Sequence, residues 1–155
     1  MTLSSTVKVY KVRVNSKLPH RAHSTDAGLD FFYCPEGSVK FTTLEPGQSG
    51  LFPTGVKIQV PRGHMLQIMN KSGVASKRSL LVGACVVDEG YTGEVFVNLH
   101  NVGTEKQLIE SGHKIAQGVF IRISKPELLE ISNPEELYEG STSRGDGALG
   151  STGEV

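Results

Sequence analysis

Glycine and proline interrupt this chain at such short intervals that no long helical pattern fits between them: 18 glycines and seven prolines fall in 155 residues. What remains are brief stretches rich in Val, Ile and Phe, the composition of a pleated, half-buried surface. "VKVYKVRV" (7–14) alternates, but its apolar phase slips between Val9 and Val12, which implies a bulge or a change of partner. "GVKIQV" (55–60) alternates through Val56, Ile58 and Val60 and stops at Pro61-Arg62-Gly63. Residues 65–69, 80–87, 94–101 and 114–123 read as further strands, with turns at 44–48 and 102–106. One short helix is expected after Asn133, which can cap it, with Pro134 in the first turn and Glu135 and Glu136 at the positive end. The reading is an all-β antiparallel sandwich or jelly roll.

Composition narrows the function classes. With 37% apolar residues the chain can bury one ordinary core, and a second domain is not expected. Sixteen basic residues balance sixteen acidic ones, so no net charge draws the chain to nucleic acid or to a membrane, and any anion must be bound locally. No apolar run approaches the ~20 residues of a membrane span. Cys34 and Cys85 stand far apart and form no CxxC pair, as suits a reduced, cytoplasmic setting. His20 and His23 form an HxxH pair without partners at zinc-like offsets and read as loop residues.

Near residue 140 the texture changes. Residues 1–140 read as a β domain; residues 141–155, "STSRGDGALGSTGEV", hold four glycines, several hydroxyls and little that could pin them to a core. Fully extended, such an arm spans roughly 50 Å at ~3.3 Å per residue.

Four stretches of the β domain and the arm could carry chemistry. "STDAGLDFF" (24–32) brings Asp30 to the entry of an aromatic strand. "NKSGVASKRS" (70–79) sets Lys71, Ser72 and Gly73 in succession, a cation and a glycine-freed backbone that suit an anion, although the order is not that of a Walker loop. In "ACVVDEGYTGEVFV" (84–97) Asp88 closes an apolar strand, Gly90 and Gly93 shape a reversal, and Tyr91 stands at its tip. "SGHKIAQGVF" (111–120) places Lys114 and Gln117 at the opening of a strand, with small neighbours at Ala116 and Gly118. In the arm, Arg144, the glycine amides, Ser151 and Thr152 are donors suited to phosphate oxygens. Each stretch alone also has a plain reading: a solvated acid, a polar turn, a β-hairpin, a wet strand face, a disordered end.

Taken together and in this order, the five stretches resemble the five motifs of the trimeric dUTPase family, from about residue 18 to 153. That resemblance implies a distorted jelly roll assembled as a homotrimer, each active site shared by three subunits and closed by a flexible C-terminal arm. It implies hydrolysis of dUTP to dUMP and pyrophosphate with Mg2+. By position, Asp88 matches the acid that activates water, and Tyr91 the ring that packs on deoxyribose. Lys71, Ser72 and Gly73 match the phosphate loop, Asp30 the carboxylate of the magnesium-water shell, and Gln117 the glutamine near the phosphates. Cys85 and Val87 fall on the hairpin whose backbone reads uracil. Arg144, Leu149, Gly150, Ser151 and Thr152 match the closing arm. Lys71 and Lys114 stand where the family usually has arginine, and Leu149 where a phenylalanine normally covers the base. The related dCTP deaminases need a helix carrying their catalytic glutamate, and no stretch here matches that helix, while the Asp88 to Tyr91 pattern fits the hydrolase better.

Overall fold

The computed structural model describes residues 6–148 and 152–153. Within them the chain forms two units that meet between Ser124 and Lys125. The first unit is built of antiparallel strands: β1 (Val9–Lys11), β2 (Leu29–Phe32), β3 (Phe41–Leu44), β4 (Ser49–Pro53), β5 (Val56–Ile58), β6 (His64–Met69), β7 (Leu80–Val82), β8 (Val86–Val87), β9 (Phe96–Asn101), β10 (Gln107–Glu110) and β11 (Lys114–Arg122). One seven-residue helix, α1 (Ser72–Arg78), lies between β6 and β7.

The strands form four sheets, ordered β1-β5, β3-β10, β2-β11-β6-β8 and β4-β9-β7. Their inward positions converge on one core that includes Phe31, Phe52, Leu66, Leu80, Val97, Leu99, Ile109 and Ile115, each at most 2% exposed. Alternation drives this arrangement: β9 buries Val97, Leu99 and Asn101 and turns Phe96, Asn98 and His100 outward. The all-β expectation holds.

Several boundaries differ from those read in the sequence. The 7–14 run stays in a strand only to Lys11, because Val12 donates to Gly55 O at 2.7 Å and the chain then turns. This accounts for the slipped phase. The 80–87 run is cut in two, since β7 belongs to the three-stranded sheet and β8 to the four-stranded one. The reversal at 88–93 is likewise no paired hairpin, because β8 pairs with β6 while β9 pairs with β4 and β7. Residues 72–78, read as a polar turn, are helical. Lys71 is the extended N-cap, Ser79 closes the helix with φ 51°, and the run is too short to announce a period.

In the second unit the expected helix is a single 3-10 turn, Pro134–Leu137, with Asn133 Oδ1 accepting from Glu135 N at 3.1 Å.

Candidate active site

Asp30 anchors the first cluster. It sits in β2 at 4% exposure, and burial alone would disfavour its charge. Lys71 Nζ donates to Oδ1 at 2.8 Å, and Lys114 Nζ lies 2.8 Å from Oδ2. Burial pushes the carboxyl upward, but the two ammoniums outweigh it and hold Asp30 below the ordinary aspartate value. Two cations on one anion leave a formal surplus of positive charge, which suits a phosphate.

A β-bulge makes the arrangement possible. On a regular strand, residues three apart face opposite sides. Here the register of β11 shifts between Lys114 and Ala116, so that Lys114 stands opposite Phe32 and Gln117 opposite Asp30. Both therefore share a face with Asp30. Gln117 then donates from Nε2 to Asn70 O at 2.9 Å, tying β11 to the residue before Lys71. Gly28 provides the space, since a Cβ there would stand 2.2 Å from Gln117 Oε1.

The second cluster is the reversal after β8. Tyr91 N donates to Asp88 O at 3.2 Å, closing a turn in which Gly90 has φ 87°. The Tyr91 ring folds back over Gly93, where an added Cβ would meet its hydroxyl at 2.3 Å, and the phenol donates to Glu94 O at 2.9 Å. Asp88 is exposed on a cleft of about 340 Å³ that Val86, Val87, Tyr91 and Phe96 also line. Beside β7 a smaller hollow of about 190 Å³ is lined by Met69, Asn70, Val82, Gly83 and Cys85. Two hydrogen bonds cross its floor: Asn70 Oδ1 accepts from Val82 N at 2.7 Å, and Ile68 N donates to Cys85 O at 2.7 Å. Asn98 holds the wall, accepting from Ala84 N at 3.2 Å, and Gly83 leaves the room that the Asn98 and His100 side chains occupy.

Comparison with known proteins adds to this geometry. The family model described as dUTPase matches residues 14–153. The chain belongs to the dUTPase family. Among curated relatives, the deoxyuridine 5'-triphosphate nucleotidohydrolase of Clostridium novyi is 40% identical over 148 residues, covering 94% of this chain and 96% of that one. The enzyme of the same name from Fowlpox virus is 35% identical over 147 residues, with 95% and 97% covered. A mutant dUTPase of Staphylococcus bacteriophage 80alpha, solved with dUpNHpp, superposes with a TM-score of 0.81 at 27% identity, covering 97% of this chain and 99% of that one. A mutant dUTPase of phage phi11 of S. aureus, whose structure concerns the coordination of a structural Mg(II) ion, gives a TM-score of 0.75 at 27% identity over 84% of this chain and 99% of that one.

As a dUTPase, the chain is a dUTP diphosphatase, and its residues can be placed against the sequence reading. Asp30, Lys71, Lys114 and Gln117 come together as described. Ser72 and Gly73 form the exposed first turn of α1. Gly73 is helical, with nothing within 4 Å of an added Cβ, so the freed backbone expected of a flexible glycine loop is corrected to the open end of a helix. Cys85 and Val87 flank Val86 at the start of the reversal. Arg144 and Thr152 belong to the second unit, where Arg144 O accepts from Gly147 N at 3.3 Å and Gly145 N donates to Thr142 Oγ1 at 3.1 Å. Leu149, Gly150 and Ser151 lie outside the described residues.

Sequence reasoning met Gly28 and Asn70 only as turn and loop residues and did not single out Asn98, although all three support these side chains. It also passed over the pairing of Arg13 with Glu94. The Arg13 fork meets the Glu94 carboxylate at both oxygens, Nη1 to Oε2 at 3.2 Å and Nη2 to Oε1, and Nη2 donates to Cys34 O at 2.9 Å. Burial works against the Arg13 charge, yet Glu94 and the Cys34 contact hold it above the ordinary arginine value. Its partner lies 81 residues away, so no local pattern announces the pair.

Proposed function

We propose that this dUTPase cleaves dUTP to dUMP and pyrophosphate by in-line attack of water on the α-phosphorus, with Asp88 taking the water's proton. The observation that carries the reading is the Lys71–Asp30–Lys114 seat, a preorganised positive site within a chain matched by the dUTPase model. Ser72 and Gly73 at the open end of α1, and Gln117 beside the seat, would contact phosphate oxygens. Arg144, Gly150, Ser151 and Thr152 would add donors from the closing arm, and Leu149 would cover the base. Asp88 stands exposed in the open cleft and would need to be held against its water with bulk solvent excluded, which is the part we give the arm.

For magnesium, no group of three His, Cys, Asp or Glu gathers as a cage among the described residues. Both Asp30 oxygens already lie 2.8 Å from ammonium groups. In this reading the ion is carried by the triphosphate, and Asp30 would reach its hydration shell only through water. When bound, Mg2+ would neutralise phosphate charge and polarise the scissile bond. Lys71 and Lys114 contribute charge to the same end.

Uracil would be read by main-chain groups near Cys85 and Val87, beside the hollow that Asn70 and Asn98 stiffen. Cytosine there would leave buried polar groups unpaired at ~1–3 kcal/mol each. Tyr91 would pack on deoxyribose and refuse a 2'-hydroxyl. In the cell, where we place the enzyme in the cytoplasm as a homotrimer, the reaction would limit uracil in DNA and supply dUMP for dTMP synthesis. The helix α1 carries no carboxylate, which favours hydrolysis over deamination of dCTP. The test is Asp88→Asn: turnover of dUTP should fall to background while a non-cleavable dUTP analogue still binds by calorimetry. Retained turnover would remove Asp88 from its role, and ammonia released from dCTP would favour the deaminase.

A further inference from the structure

Tyr91 is 48% exposed, so packing alone does not fix its ring. What fixes it is the phenol's bond to Glu94 O, over a Gly93 that leaves no room for a side chain. Glu94 is in turn held by its side chain. Its Oε1 accepts from Gly55 N at 2.7 Å, in the turn between β4 and β5, and both its oxygens meet the Arg13 fork. The next residue is stapled to the same turn: Val95 O accepts from Thr54 Oγ1 at 2.6 Å and from Thr54 N at 3.1 Å, and Val95 N donates to Val56 O at 2.9 Å. The far end of the reversal is thus welded to the scaffold. Its near end, at Asp88, is held by the two-residue strand β8.

We propose that Arg13 and Glu94 are positioning residues for Tyr91, and that through it they set the discrimination between deoxyribonucleotide and ribonucleotide. The inference rests on the reading of Tyr91 as the ring against the sugar. The carboxylate, held by the Arg13 fork and Gly55 N–H, anchors the Glu94 Cα to the β4–β5 turn, and together with Val95 N–H on Val56 O this keeps the Glu94 carbonyl where the phenol needs it. Arginine serves this better than lysine because its planar fork engages both oxygens at once, whereas lysine offers a single point of charge. A ring displaced by about 1 Å no longer closes the space at the 2' carbon. Neither residue touches the reacting atoms in this account; both act through Tyr91.

The experiment compares kcat/KM for dUTP and for UTP in the full-length enzyme. Glu94→Gln keeps the volume and an acceptor for Gly55 N–H but loses the charge that holds Arg13. It should lower the dUTP:UTP preference about tenfold or more, as should Arg13→Met, while Arg13→Lys retains an intermediate preference. In a Tyr91→Phe background the phenol link is already cut, and adding Glu94→Gln should change the ratio less than twofold. A purely structural role would lower both substrates alike and leave the ratio alone. If Glu94→Gln and Arg13→Met keep the wild-type ratio within twofold while Tyr91→Ala collapses it, the tether is refuted and the sugar contact stands. If Tyr91→Ala also leaves the ratio unchanged, the sugar reading itself fails and this inference falls with it. Should Arg13→Met not fold, Glu94→Gln, nearly isosteric with the wild-type residue, decides.

Discussion

Asp30 is a carboxylate buried to 4% exposure, and it keeps its charge because two ammonium groups stand 2.8 Å from its oxygens. Its native pKa is held below the ordinary value, so the unfolded chain takes up the proton first as pH falls. The stabilisation is therefore complete above the unfolded value of about 3.9 and is lost as pH drops through the native one. Asp30→Asn should cost about 1–3 kcal/mol at neutral pH, discounted because both lysines are partly exposed. Urea titrations at pH 7 and in strong acid should show that difference shrinking; a gap independent of pH would contradict the ion-pair account. Gly28→Ala should act differently. Its methyl would displace the tip of Gln117, a flexible group, so stability should fall by only about 1 kcal/mol while KM for dUTP rises several-fold. A rise in KM no greater than twofold would take Gln117 away from the phosphates.

At the scale of elements, β11 joins β2 to β6 and carries both Lys114 and Gln117. Its centre has no spare volume: a Cβ on Gly118 would stand 2.6 Å from the Phe31 ring and 2.9 Å from Leu66 Cδ1. Gly118→Ala should destabilise the fold by about 1–3 kcal/mol by thermal melting, and an unchanged Tm would mean the core there is looser than it stands. The strand was legible as an apolar run at 114–123, and most strands were legible in the same way, because alternation is a local signal. The bulge that turns Lys114 and Gln117 to one face was not, since it is a relation between two strands. Helix α1 escaped for another reason: in "SGVASKR" only Val74 is buried, which leaves no stripe to detect. Asp30, Lys71, Asp88, Tyr91 and Gln117 could be named from their motifs, but that Asp30 binds two lysines depends on contacts 41 and 84 residues apart along the chain.

For the whole molecule we propose that residues 141–155, which fall within the second unit, close the site over the triphosphate, and that the chain before them serves as scaffold. Removing 141–155 should leave thermal stability and the proposed trimer, read by light scattering, nearly unchanged while lowering kcat/KM for dUTP at least 100-fold. A truncated enzyme as active as the full chain would refute the arm's role. The most direct test of the central claim is pyrophosphate release from dUTP, dCTP, dTTP and UTP by the full-length enzyme and by Asp88→Asn, with magnesium present. The account predicts rapid release from dUTP, at least 100-fold less from the other three, and background rates from the variant. Comparable release from all four nucleotides, or from Asp88→Asn, would contradict it.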